Sequence, residues 1–151
     1  MDTAVRNLKL RRGESSDELW LFQLFKATMQ DHIDAAWGWE ELLQKEGFLT
    51  SLPARNFRIL QLDKTNVGCI YLSEKDDHLL LEMILVEPSW QQQGHGQRLI
   101  DWAKEEASKR KTSIELSVIR TNPAVQFHLH NGFNIIAEDE HSLKMAWAPK
   151  N

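Results

Sequence analysis

Cysteine is nearly absent from this chain: Cys69 is the only one among 151 residues. A single thiol closes no internal disulfide and builds no metal cluster, which fits a reducing compartment. Cys69 falls in an apolar strand pattern with Val67, Ile70 and Leu72, the setting of a small buried hydrophobe. No stretch approaches the roughly 20 apolar residues of a membrane helix. The opening segment, Met1 to Arg12, is charged and lacks the apolar centre of a signal peptide. Glycine-serine linkers, low-complexity tracts and internal repeats are also missing. Residues 1–151 are therefore expected to form one domain, long enough to bury a core without staples. Positive charge is not in excess, and a net charge of −4 argues against nucleic acid as a general partner. These absences together suggest a cytoplasmic protein that engages neither nucleic acid nor membrane and carries no metal.

The period of the apolar residues gives the elements. Val5 to Leu10 alternates and reads as an edge strand. Ser15 with Glu18 resembles a capping box, and Trp20, Leu21, Leu24, Phe25 and Thr28 follow at helical spacing. A loop is expected around Asp31, then a shorter helix near Trp39 to Lys45. From Phe57 the period becomes two. Phe57–Leu62 and Gly68–Leu72 read as strands joined through 63–66, and 75–77 marks another turn. His78 to Val86 is a strongly apolar strand, central to a sheet. Leu99, Ile100, Ala103 and Ala107 give the next helix one apolar stripe, with Glu105 and Lys109 paired outside. Ser113–Val118 is a strand, Asn122-Pro123 starts a helix, and Gly132 ends it. Strands at Asn134–Glu138 and Ser142–Trp147 close the chain. The order β-α-α-β-β-β-α-β-α-β-β excludes a pure alternation of strands and helices. It predicts an α/β (α+β) fold with a mixed, mainly antiparallel sheet of about seven strands and about four helices. Edge strands near the C-terminus suit either a monomer or a homodimer.

The most informative stretch runs from Val86 to Ile100. A strand ends at Pro88, a polar loop containing Gly94 and Gly96 follows, and a helix opens directly out of it. That order gathers unpaired N–H groups and the positive end of a helix dipole around one point, a setting that binds phosphate oxygens. A lone Gly-x-Gly is also found in ordinary turns. Here, however, Gln91-x-x-Gly94-x-Gly96 follows Val86-x-Pro88 and precedes Leu99-Ile100. Downstream stand Asn122-Pro123-Ala124, Phe127 and Asn131-Gly132-Phe133. Both motifs, with the element order, resemble the GNAT superfamily of N-acetyltransferases over about Leu8 to Trp147.

That resemblance implies acetyl-CoA as cosubstrate and an amine as acceptor, in a ternary complex with direct attack. The backbone of Gln92, Gln93, Gly94, His95, Gly96, Gln97 and Arg98, with Gln91 before it, would cradle the pyrophosphate. Ile84, Leu85 and Val86 would pair with the pantetheine arm as an added strand would. The strand near Ser117 to Ile119 would splay away to admit it, with Asn122 and Phe127 beside the thioester and outer cofactor. A catalytically weak acyl-CoA-binding or sensing module of the same fold is the second reading. A nucleotide-binding loop is disfavoured because no Gly-Lys-Ser/Thr follows the glycines.

The sequence departs from the family at one catalytic position. A tyrosine usually follows the residue corresponding to Phe127 and is the acid for the leaving thiolate; this chain has His128, and its one tyrosine, Tyr71, lies elsewhere. His128 is thus a candidate acid or sulfur contact, or else a packing residue. Glu82 interrupts an apolar strand and is the candidate base, directly or through water, or else an outward-facing charge. His32, Trp37 and Trp39, with Glu40 and Glu41 following, are candidates for the acceptor site; the tryptophans either wall it or pin the helices to the sheet. Trp90 is expected to anchor the glycine loop, with Trp102 and Trp147 as packing residues.

Overall fold

A computed structural model describes residues 8–150. Seven strands form one sheet in the order β1-β2-β3-β4-β5-β7-β6. They are β1 (Leu8–Arg12), β2 (Phe57–Leu62), β3 (Thr65–Glu74), β4 (His78–Val86), β5 (Ser113–Ile119), β6 (Asn134–Glu138) and β7 (Ser142–Trp147). Every neighbouring pair is antiparallel except β4 and β5, which run parallel. Four α-helices complete the fold: α1 (Glu18–Trp37), α2 (Glu41–Ser51), α3 (His95–Arg110) and α4 (Ala124–His130). The element order and the sheet are those expected. Among the described residues no helix is long and apolar enough to cross a membrane.

Alternation along the strands sorts the side chains into two cores. On one face, Leu99, Ile100, Ala103 and Ala107 of α3 pack with Leu60, Ile70, Leu79, Leu81, Ile114 and Leu116. All four α3 residues are fully buried, and Leu99 and Ile100 each contribute about 1.5–3 kcal/mol by leaving water. On the other face, Leu21, Phe22, Leu24 and Phe25 of α1 and Phe48 of α2 cover Phe57, Ile59, Cys69 and Tyr71. A parallel pair needs a covered crossover, and α3 supplies it between β4 and β5.

Several expectations need correction. The first strand is Leu8–Arg12, and residues 5–7 of the expected span lie outside the described residues. The first helix does not break at Asp31. No glycine or proline occurs between Gly13 and Gly38, so α1 runs on until Gly38 turns it at φ 88°, its N–H reaching the carbonyls of Ile33 and Asp34. The box at its start is not Ser15 with Glu18. Asp17 takes that role, its carboxylate accepting the Glu14 N–H at 2.8 Å and held by Arg11 at 2.8 Å. On α3, Lys109 pairs with Glu106 at 3.3 Å rather than with Glu105.

Candidate active site

β4 and β5 face each other from His78/Ser113 to Leu81/Leu116 and no further. β4 continues along β3 as far as Val86, while β5 continues along β7 as far as Ile119. Their facing edges therefore separate. The cause is a bulge: Tyr71 faces Met83 and Leu72 faces Leu81, which leaves Glu82 as the extra residue on β4. An inserted residue bends its strand and ends regular pairing beside it. A cavity of about 120 Å³ lies in the gap, lined by Glu82 to Leu85 on one side and Ser117 to Ile119 on the other. Leu81 and Leu116 lie at its base, and Met29, Asn122, Ala124 and His128 complete its lining.

The glycine loop sits at the end of β4. After a short turn at Pro88–Trp90, Gln92 and Gly94 both take positive φ, 62° and 86°, and α3 starts at His95. The amides of Gln92 and of Gly94, His95, Gly96 and Gln97 find no acceptor among the described residues. The Arg98 amide, expected in the same cradle, instead closes the first helical turn on the Gly94 carbonyl at 3.1 Å. Gln91 is also committed, its Nε2 donating to the Val86 carbonyl at 3.0 Å. His95 turns inward: it is buried, 5.9 Å ring to ring from Trp90, and its Nδ1 has no partner. Burial and the Arg98 charge hold its imidazole below the usual range. Gly94 opens onto free space, whereas a Cβ on Gly96 would meet the Phe127 ring at 3.6 Å.

α4 brings two more residues to the gap. The Asn122 side-chain oxygen accepts the Ala124 N–H at 2.9 Å, which caps the helix, and its amide nitrogen lies 3.6 Å from the Met29 sulfur. His128 is 3% exposed and stands between Phe127 and Phe133, with ring centroids 5.4 and 5.5 Å away. Its Nδ1 has no partner, and burial pushes its pKa down to about 4. At neutral pH it is an uncharged imidazole that can give or accept one hydrogen bond but holds no ready second proton. Glu82, by contrast, is exposed, and its carboxylate accepts the Ser73 hydroxyl at 2.6 Å.

The residues expected at the acceptor entrance do not form one wall. Trp39 belongs to the second core, 5.9 Å from the Phe25 ring, and its indole N–H donates to Glu41 at 2.9 Å. Glu41 also holds Lys26 at 3.1 Å, so its charge is already matched. Trp37 is 60% exposed and reaches the β6–β7 turn, 5.5 Å from the His141 ring. His32 Nδ1 lies 3.1 Å from the Thr121 hydroxyl and so ties α1 to the segment after β5. Two contacts had no sequence signal. Met29 lines the gap only because α1 is unbroken, and Trp20 donates to Glu87 at 3.2 Å, fastening α1 to the loop. Among the described residues no three His, Cys, Asp or Glu side chains gather as a metal-binding group.

A family profile described as an acetyltransferase (GNAT) domain matches residues 53–135. An uncharacterized N-acetyltransferase of Staphylococcus aureus strain COL is 33% identical over 76 residues, 50% of this chain and 48% of that one. One from Staphylococcus haemolyticus is 31% identical over 99 residues, 62% of this chain and 60% of the relative. The chain thus spans about half the length of the curated relatives it matches. In fold it is similar to the PaiA N-acetyltransferase of Thermoplasma acidophilum in complex with coenzyme A. The TM-score is 0.78 at 16% identity, over 95% of this chain and 99% of that one. It is also similar to the ribosomal-protein-S18-alanine N-acetyltransferase of Escherichia coli, with a TM-score of 0.73 at 19% identity over 94% of both chains.

Proposed function

This chain belongs to the GNAT acetyltransferase family, and on that premise we propose that it moves the acetyl group of acetyl-CoA to a primary amine by direct attack. The observation that carries the reading is the separation of β4 from β5 beside the free amides of Gly94 to Gln97. Those amides, with that of Gln92, take the pyrophosphate. The Gln93 amide belongs to the same cradle, and Gln91 braces the end of β4. The pantetheine arm lies along Ile84, Leu85 and Val86, and Phe127 and Asn122 flank the cofactor where α4 meets the loop. Several charge-assisted hydrogen bonds of about 1.5–3 kcal/mol each are enough for micromolar binding after the cost of association.

The chemistry needs a neutral amine. An alkylamine with a pKa of about 10.4 is neutral only about once in 10³ at pH 7, so a proton must leave before attack. Glu82 stands at the gap as the base, directly or through water. The amine nitrogen bonds to the thioester carbon, the C–S bond breaks, and CoA leaves as thiolate, a leaving group with a pKa of about 8.5 that needs little help, while the proton released by the acylated nitrogen passes to that thiolate or to water. His128, neutral at this pH, offers a hydrogen bond to the sulfur rather than a proton from an imidazolium. Buried Cys69 is closed to the acyl group, which favours a ternary complex over a covalent acetyl-enzyme. The amine enters past α1, where His32, Trp37 and Trp39 position the helical cover. We read residues 1–151 as one domain acting in the reducing cytoplasm.

Thiol release from acetyl-CoA across small amines, amino acids, polyamines and peptide N-termini, with the product weighed by mass spectrometry, tests this. Equal yields of CoA and acetylated amine are expected for one class. Tight CoA binding with no turnover on any class would favour the sensing module, a reading that rests on His128 lacking a ready proton.

A further inference from the structure

On the α3 face, at the far end of that helix from the glycine loop, the ends of β1, β2 and β3 and the C-terminal half of α3 border a second cavity, open to solvent, with Arg12, Arg55 and Lys75 exposed at its edge. Its volume is about 540 Å³, within the range of small-molecule sites. No residue of its lining is shared with the gap between β4 and β5. Five cationic and two carboxylate side chains line it, leaving three positive charges uncompensated in a chain whose net charge is −4. Both carboxylates, Glu74 and Glu106, reach Arg110, and Glu106 also pairs with Lys109, which is not part of the lining. Arg12, Arg55, Arg58 and Lys75 have no carboxylate partner among the described residues.

The placement of two of these cations is unfavourable as it stands. Arg12 and Arg58 are direct partners across the β1–β2 pair, on the same face as Leu10 and Leu60. Like charges directly opposite in a sheet destabilise it. Arg58 also lies over Trp102, its guanidinium carbon 5.9 Å from the ring centroid, which holds the group by its flat face. The N–H edges of Arg12, Arg55 and Arg58 donate to no protein acceptor among the described residues. Guanidinium edges of this kind match the paired oxygens of a carboxylate or phosphate. A ligand with one negative charge would leave most of the excess unmatched.

We propose that this cavity binds a small polyanion, a molecule carrying two or three carboxylate or phosphate groups, as a second ligand site of the chain. Its oxyanions bridge Arg12 and Arg58 and turn their repulsion into a shared attraction, while Trp102 walls one side. Titration calorimetry at low ionic strength, with citrate and tripolyphosphate as probes, tests it. One of the two should bind the wild type, and the tighter one identifies the ligand as a polycarboxylate or a polyphosphate. The double variant Arg12→Gln/Arg58→Gln should weaken that binding by about tenfold or more, the loss expected for removed charge-assisted hydrogen bonds. Neither probe binding the wild type, or equal binding by the variant, would overturn the proposal. A second readout does not depend on affinity. Arg12→Gln alone should raise the Tm of the ligand-free protein in low salt and shrink the rise that the bound probe produces. A lower Tm would make the arginine a structural residue and would also overturn it.

Discussion

Leu81 on β4 and Leu116 on β5 are the last two residues that these strands set opposite each other. Below them the pair is an ordinary parallel ladder, and above them Glu82 bends β4 away. The gap is thus produced by one inserted residue rather than by a missing side chain. A large side chain projecting into it should close it. Ser117 is exposed and lines the cavity, so Ser117→Trp should leave Tm within a degree or two while greatly reducing CoA affinity. Thermal melts and calorimetry on the same sample check both halves.

The two glycines of the loop should behave differently. Gly94 holds φ 86°, so Gly94→Ala should cost about 1–2 kcal/mol of stability from backbone strain alone. Gly96 lies inside α3, and a Cβ there would make an ordinary 3.6 Å contact with Phe127. Gly96→Ala should therefore raise stability by about 0.5 kcal/mol through helix propensity and leave CoA binding intact. Urea unfolding of both variants separates the two effects.

His128 makes acid stability a test of its burial. Its pKa falls from 6.5 to about 4 on folding, so the folded state favours the neutral ring. The stability this represents is fully present above pH 6.5 and is lost as pH falls toward 4, because the unfolded chain takes up the proton first. The loss amounts to about 3 kcal/mol across that window. His128→Phe, compatible with its Phe127 and Phe133 neighbours, should flatten the stability curve between those values. Chemical unfolding measured from pH 7 to pH 4 checks the slope.

Cys69 has no exposed surface, and burial raises its thiol pKa well above the ordinary value. Iodoacetamide should leave the native protein unlabelled and modify it only in denaturant, as read by intact mass. Acetyl-CoA alone should likewise leave no acetyl group on this residue.

Much of the fold was legible because burial imposes a period on the strands. The bounds of β4 coincide with the apolar run His78–Val86, and those of β6 and β7 with the closing strands expected at Asn134–Glu138 and Ser142–Trp147. The continuity of α1 was harder to read, since Gln30, Asp31 and His32 are three polar residues in a row, although only Asp31 is exposed and the helix runs through them. Glu82 was visible as an intruder in an apolar strand. Its place in a bulge depends on the register of β3, which no spacing within β4 reveals. His128 could be noticed by position, but its neutral state follows from Phe133 closing over it after the helix ends. The basic cavity had no linear signature at all. Arg12, Arg58 and Trp102 lie far apart in the chain and meet only through the pairing of β1 with β2 and the docking of α3.

The central claim is that main-chain donors of the glycine loop grip the diphosphate of CoA. Calorimetric titration of acetyl-CoA into the wild type and into Gly94→Glu, with Tm recorded for each, tests it most directly. The wild type should bind one equivalent near micromolar affinity, and the variant should remain folded with no measurable heat of binding. A folded Gly94→Glu protein that takes up acetyl-CoA as tightly as the wild type would contradict the account.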